Sequence, residues 1–346
     1  MNTPVAPASG CAPPLLKVND LAVHFPIRAH APWGKPVVVR AVDGISLTLR
    51  ANETVGLVGE SGCGKSTLAR AVIRLVSPTS GEVLFEGRDI ARLSVRQLGD
   101  LRANMQMVFQ DPASSLNPRM TVEKVLAEPM RIAGWSRELI AARSAELLSL
   151  VGLDVHHLPR YPHEFSGGQK QRIVIARALA LSPRLVICDE PVSALDVSVQ
   201  AQIINLLKDI QERLGVAYLF VAHDLGVVRQ VSHRVMVMYL GKIVEEAPKA
   251  EFFARPLHPY SQALLSAIPR PTPGAASNRI VLIGDLPSPI NPPSGCRFRT
   301  RCPLAQDICA TTEPPLQEMS SGHRVACHFA GTAFLAPAPR ESINAS

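Results

Sequence analysis

The stretch Val55–Thr67, VGLVGESGCGKST, joins a short apolar run to the pattern G-x-x-x-x-G-K-[ST], from Gly59 to Ser66, with Thr67 following. LARAVIRL comes next and continues as a helix, so the pattern sits between a strand and a helix, the context it requires. Gly59, Gly62 and Gly64 let the backbone N–H groups of Glu60, Ser61 and Cys63 turn inward around phosphate oxygens, and the helix N-terminus adds positive potential. Lys65 is expected at the β- and γ-phosphates of a nucleotide, and the Ser66 hydroxyl at Mg²⁺. The strand–loop–helix unit sets the expectation for everything around it: an α/β fold.

Leu185-Val-Ile-Cys-Asp189-Glu190 is a second apolar strand, and it ends in two carboxylates. A carboxylate at a strand's C-terminal edge beside a phosphate loop can hold Mg²⁺ through its waters. The next can polarise an attacking water. Asp189 is read as the first and Glu190 as the second. Other apolar runs of strand length are Met105–Gln110, VAYLFVAH and VMVMYLGKIVEE; helical patterns include SRELIAARSAELLSLVGL, closed by Gly152, one from about Gly168 to Ala180, and Val197–Leu214. Strands alternating with helices imply a mainly parallel sheet covered on both faces. From Leu15 to Leu49 the text reads instead as short strands around the loop APWGKP.

At 346 residues the chain has room for about two domains, and 47% hydrophobic residues exclude wholesale disorder. No apolar run approaches the ~18 residues of a membrane helix, and MNTPVAPASG lacks a signal peptide's basic start and apolar core, so a cytosolic protein is expected. The net charge is 36 − 29 = +7, but the positives are scattered and aromatics are only 5%, a poor match to a nucleic-acid reader. Residues 1–14 read as a disordered Pro/Ala-rich tail. Beyond Ala267 the texture changes to PRPTPGAASN, PSPINPP and a cysteine-bearing stretch, which sets a boundary near 268.

FSGGQKQR, at 165–172, resembles the LSGGQ signature of ATP-binding cassette (ABC) ATPases, with Phe165 for the commoner Leu. The remaining motifs of that family follow in order: Walker A at 59–67, Gln110 after VF, the signature at 166–170, Walker B at 185–190, Ser193-Ala-Leu-Asp196 and His223 in VAHD. The resemblance implies a P-loop ABC ATPase cassette: a parallel-sheet core, an antiparallel β edge and an inserted helical subdomain at about 112–170, all within 15–267. It implies that two cassettes pair head to tail, so that Ser166, Gly167, Gly168 and Gln169 of one serve ATP bound by the other. Gln110 then senses Mg²⁺ and water, Ser66 and Asp189 hold Mg²⁺, and Glu190 is the general base. His223 contacts the γ-phosphate, Asp196 lies at the dimer interface, and Phe25, in HFPI, stacks on adenine.

A narrower resemblance, over about 15–330, rests on GESGCGKST, VFQDPASSLNPRM, YPHEFSGGQKQRI, DEPVSALDVSVQAQI, HPYSQALLSAIP and LPSPINPPSGC. These resemble the ATP-binding subunits of bacterial dipeptide and oligopeptide ABC importers, the F-type dipeptide subunit above all. Nickel and glutathione importers share much of this text. The departures, Lys170 for Arg and Cys188 for Ala, touch no catalytic group. The implied partners are a second homologous ATPase subunit, two membrane permeases and, indirectly, a periplasmic peptide-binding protein. The implied place is the cytoplasmic face of the inner membrane, bound peripherally, with no nucleic acid. A soluble ABC ATPase acting on DNA or ribosomes is the rival, but its usual second cassette or long coiled-coil insertion is missing. A nucleotide-binding module without turnover could dispense with Glu190 and His223, and both are present.

Cys296, Cys302, Cys309 and Cys327 fall within one short stretch of the C-terminal extension, 268–346. In a reducing compartment such a quartet points to a metal or cluster site rather than to disulfides. Four thiolates suit Zn²⁺ or a [4Fe–4S] cluster. The spacings lack the short C-x₂₋₄-C pairs of zinc modules, although His323 and His328 keep a mixed zinc site open, and four unliganded thiols are the third reading. The importer resemblance points to [4Fe–4S], in a structural role.

Overall fold

The computed structural model describes residues 13–27, 37–94, 96–268 and 280–332. The expected tail up to residue 12, the loop APWGKP and the stretch PRPTPGAASN lie outside the described residues. By its packing the chain divides into two units that interleave in sequence. The first holds the chain to His24, Val42–Val55 and Ser66–Val221; the second holds Phe25–Ala41, Gly56–Lys65 and everything from Ala222.

The first unit opens on a four-stranded sheet. Its strands are β1 (Leu16–Ile27), β2 (Val37–Leu49), β4 (Ser80–Phe85) and β5 (Arg88–Asp89), in the order β2-β1-β4-β5. Leu16 faces Phe85 and Val18 faces Val83 across the antiparallel β1–β4 pair, and all four side chains are buried. β3 (Thr54–Val58) starts in this unit, where Thr54 and Gln211 hydrogen-bond each other in the interior. Next come α1 (Lys65–Val72), α2 (Gly99–Asn104) and β6 (Met105–Val108). The helices α3 (Pro112–Ser115), α4 (Val122–Ile132) and α5 (Arg137–Leu150) follow, each started by an oxygen-bearing cap: Asp111, Thr121 and Ser136. The unit is completed by α6 (Gly167–Ala178), β7 (Leu185–Asp189), α7 (Val197–Leu214) and β8 (Ala217–Ala222). β6, β7 and β8 pair in parallel, with Val108 beside Cys188 and Cys188 beside Phe220. Every residue of β7 and β8 is buried, as strands covered on both faces must be.

The second unit carries α8 (Leu225–Val231), β9 (Arg234–Tyr239), β10 (Lys242–Pro248), α9 (Lys249–Ala254) and α10 (Pro259–Ser266). Leu240 and Gly241, at φ 41° and 80°, turn β9 into β10. After residue 280 come α11 (Asp307–Thr311), β11 (Gln317–Ser320) and β12 (His323–Val325). β12 pairs antiparallel with β10, setting Val325 opposite Glu245, and β11 pairs with β12. The described part of the extension, 280–332, is therefore more structured than its loop-rich text suggests, since it lengthens an existing sheet and buries Phe298, Cys309 and Val325. Strands of three and four residues are too short to show a period of two, so nothing local announces them. Among the described residues no helix is long and apolar enough to cross a membrane.

Candidate nucleotide-binding site

In the second unit the loop from Gly59 to Lys65 leaves β3 by a path that its glycines permit, each for its own reason. A Cβ at Gly59 would lie 2.2 Å from the Met238 carbonyl oxygen, and one at Gly64, at φ 109°, would lie 2.0 Å from that of Ala41. Gly62 differs: a Cβ there would meet nothing within 4 Å, so its left-handed φ of 79°, not crowding, calls for glycine. Gly62 thus belongs to the turn of the loop, while Gly59 and Gly64 let backbone approach backbone. Lys65 is buried, and its ammonium donates to the carbonyls of Gly59 at 2.7 Å and Glu60 at 2.9 Å. The Cys63 thiol is buried beside it, and burial raises its pKa, so it stays neutral. His223 and Phe25, also in this unit, are exposed, Phe25 at 40%.

In the first unit Ser66 Oγ donates to Asp189 Oδ1 at 2.8 Å, bringing together the two predicted Mg²⁺ groups across 123 residues of chain. Arg70, one helical turn beyond Ser66, approaches the other Asp189 oxygen at 3.9 Å. Glu190 follows at the end of β7, and Gln110 Nε2 donates to its Oε2 at 3.2 Å. Hydroxyl and carboxylate oxygens are the donors Mg²⁺ prefers.

Ser166 caps α6. Its Oγ accepts from the Gln169 N–H at 3.3 Å, and its own N–H donates to Gln169 Oε1 at 3.0 Å. This reciprocal cap leaves Ser166 and Gly167 exposed at the start of a twelve-residue helix. Phe165 is buried under the Arg160 guanidinium, 4.7 Å away, and against His157, so it fills the apolar position before the cap. A Cβ at Gly168 would meet Val199 Cγ1 at 2.6 Å, so a larger residue there would force the Val199 side chain to shift. Asp196 stands exposed at the head of α7 and makes no side-chain cap bond.

In the extension the Cys296 N–H donates to the Cys309 carbonyl at 2.8 Å. Burial, with a smaller contribution from neighbouring cysteines, pushes the Cys302 thiol up to about 12 and Cys327 up to about 11. His323 Nε2 is taken by Glu245 at 2.8 Å and His328 Nε2 by the Thr312 carbonyl at 3.0 Å. Among the described residues no group of three or more His, Cys, Asp or Glu side chains is placed to hold a metal ion, so the expected cysteine site finds no support in the structure.

Three groups went unnoticed in the sequence. Arg70 is an ordinary helix arginine by pattern. Tyr260, whose hydroxyl accepts from the Glu60 N–H at 2.8 Å, and Arg301, whose guanidinium meets the Glu60 carboxylate at 2.7 Å, lie far down the chain from the loop they touch.

A glycine-lined loop, a strand-end carboxylate pair and a capped Ser-Gly-Gly helix on one chain are what an ATP-binding cassette requires. Residues 42–193 match the ABC transporter family, and residues 244–309 match the C-terminal region of oligopeptide/dipeptide transporters. The chain is 53% identical over 335 residues to a probable peptide ABC transporter ATP-binding protein, y4tS, of Sinorhizobium fredii, covering 95% of this chain and 94% of that one. It is 52% identical over 319 residues to the oligopeptide transport ATP-binding protein OppF of Salmonella typhimurium, covering 90% and 95%. Among solved structures it is similar to a dimeric post-hydrolysis state of the ATP-binding cassette MJ0796 bound to ADP and Pi. That match has a TM-score of 0.60 and 28% identity over 68% of this chain and 98% of the other. The chain belongs to the peptide and oligopeptide ABC transporter ATP-binding proteins, and it is an ATPase.

Proposed function

We propose that this chain hydrolyses Mg-ATP as one half of a head-to-tail cassette pair and so powers uptake of dipeptides and oligopeptides. The observation that carries the hydrolysis is the Ser66 hydroxyl on the Asp189 carboxylate at 2.8 Å, with Glu190 next in the chain and Gln110 bonded to it. Ser66, Asp189 and Gln110 would hold Mg²⁺, which would supply charge neutralisation at the β- and γ-phosphates. Backbone N–H groups of Gly59–Gly64 and those of Ser66 and Thr67 cradle the phosphates, and Lys65 turns to the γ-phosphate. Glu190 takes the proton of the attacking water, Gln110 orients that water, and His223 reaches the γ-phosphate. Phe25 stacks on adenine. Ser166, Gly167, Gly168 and Gln169 serve the partner's nucleotide, and Asp196 lies at the shared interface.

The peptide solute is supported by relatives named for peptide and oligopeptide transport that match nine-tenths or more of the chain. On this reading 15–267 is the ATPase domain, with its helical subdomain at 112–170, and 268–346 is the extension. The partners are a second homologous cassette, two permeases and a periplasmic binding protein, and the complex works at the cytoplasmic face of the inner membrane. Reconstituted in vesicles, it should take up labelled dipeptide and hydrolyse ATP faster when a peptide-loaded binding protein is added. Response to nickel or glutathione alone moves the solute assignment. No ATP-driven uptake of any of them overturns transport.

We read the extension's quartet, Cys296, Cys302, Cys309 and Cys327, as ligands of a [4Fe–4S] cluster rather than of Zn²⁺, as the importer resemblance implies. Cys302 and Cys327 both feel the charge of neighbouring cysteines, and both nearby histidines have other partners, although no group of three or more His, Cys, Asp or Glu is placed to hold a metal ion among the described residues. Such a cluster supplies cross-linking rather than electron transfer, because peptide import has no redox step. Anaerobically purified protein should be brown with about four irons per chain, and Cys302→Ser should bleach it. Colourless protein with stoichiometric zinc, or with four titratable thiols, sinks this assignment.

A further inference from the structure

Glu60 stands second in the phosphate loop, and each of its polar groups is held. Its N–H donates to Tyr260 Oη at 2.8 Å, its C=O accepts from Lys65 Nζ at 2.9 Å, and its carboxylate meets Arg301 Nη1 at 2.7 Å. Arg301 comes from 241 residues down the chain, and its side chain is 9% exposed against 28% for Glu60. Its mounting is rigid. The Arg301 N–H donates to the Phe298 carbonyl at 3.0 Å, and Phe298, fully buried, packs on Tyr239 at 5.2 Å and Tyr260 at 5.4 Å. Arg297 donates to the Leu240 carbonyl, and the next residue, Gly241, donates its N–H to Cys63 in the loop at 2.8 Å. The segment 297–301 thus grips the same turn that grips the phosphate loop.

Two physical consequences follow. The Lys65 ammonium spends donors on the Gly59 and Glu60 carbonyls, and any turn toward a triphosphate weakens those bonds, which shifts the holding of Glu60 onto Tyr260 and Arg301. The Glu60 carboxylate is also a negative charge inside a loop that receives a polyanion. Half-buried and unpaired, it would repel the phosphates more strongly than a solvated charge does.

We propose that Arg301 is a positioning residue of the nucleotide site: it neutralises Glu60 and holds it away from the phosphates, so that the C-terminal extension completes the phosphate loop within the same chain. The proposal rests on ATP binding by the family, not on the peptide solute or on what the cysteines hold.

The test measures the Kd of the full-length chain for a fluorescent ATP analogue with Mg²⁺, and the ATP KM and kcat of the assembled transporter. Arg301→Ala should weaken binding about ten-fold, about 1.4 kcal/mol, and raise KM more than it lowers kcat. The loss should shrink to about two- to three-fold at 1 M salt, where the screening length is about 3 Å. Arg301→Lys should keep most of the affinity. Adding Glu60→Gln to Arg301→Ala should recover at least about three-fold, the coupling expected of neighbours that act through one charge pair. Where Arg301→Ala does not fold, Arg301→Gln takes its place in the same cycle. Unchanged affinity, or a loss that ignores salt and is not recovered by Glu60→Gln, overturns the proposal and leaves Arg301 a fold-holding residue.

Discussion

Glu190 has left-handed backbone, φ 49°, immediately after β7, a conformation that costs a non-glycine residue about 1–3 kcal/mol. Its N–H still pairs with the Val221 carbonyl at 2.9 Å, so the sheet holds the strained residue in place while its carboxylate meets Gln110. Strain kept at this position suits a group that must be aimed. In the assembled transporter Glu190→Gln should retain ATP binding and lose about 10²–10⁴-fold in turnover, the usual cost of losing a general base. Near-wild-type hydrolysis would remove Glu190 from that role. Ser66, Asp189 and Glu190 could be singled out beforehand because each lies in a contiguous motif whose residue types suggest one chemistry, and Gln110 through the family resemblance; the structure brings Ser66 to Asp189 and Gln110 to Glu190. Tyr260 and Arg301 were not, because their contacts with Glu60 span 200 and 241 residues and leave no local spacing to read.

At the scale of elements, one carboxylate joins β10, β12 and the start of α10. Glu245 is fully buried and accepts from the Leu257 N–H at 2.7 Å, the His258 N–H at 2.9 Å and His323 Nε2 at 2.8 Å. Removing it strands three donors in the interior, so Glu245→Ala should cost about 3–5 kcal/mol in urea denaturation and speed hydrogen exchange at the β12 amides. Unaltered exchange there would show that the extension is held by other means. His258 adds a pH dependence. Burial pulls its pKa down from 6.5 to about 4, against the opposing pull of the Glu245 carboxylate. Between those values the unfolded chain binds a proton that the folded chain refuses. Stability from this source is therefore intact above pH 6.5 and falls by roughly 3 kcal/mol as the pH drops to about 4. His258→Gln should flatten that part of a stability–pH curve. β7, β8 and α7 were readable because they carry sustained apolar patterns, whereas β12 exists only through its pairing with β10, and β11 through its pairing with β12.

At the scale of the molecule, a cut near 268 follows composition, whereas the packing units follow contacts and take 25–41 and 56–65 out of chain order. Linear text has no means of expressing that interleaving. The proposed pairing of whole cassettes rests, by contrast, on a local feature: α6 offers Ser166 and Gly167 to solvent at the N-terminus of a twelve-residue helix, where backbone N–H groups and the helix dipole favour an anion. Ser166 and Gln169 cap each other there, so the helix end is ordered before any phosphate arrives. A bulky cation at this exposed position disturbs the helix start without entering the core. In a mixed complex where only this chain carries Ser166→Arg, hydrolysis at the partner's phosphate loop should be abolished. ATP binding at this chain's own Lys65 should survive, and its melting temperature should stay close to wild type. Site-resolved photolabelling with an azido-ATP, followed by single-turnover hydrolysis, separates the two sites. Full turnover at the partner's site would mean that the signature helix acts within its own chain, and head-to-tail pairing would have to be abandoned.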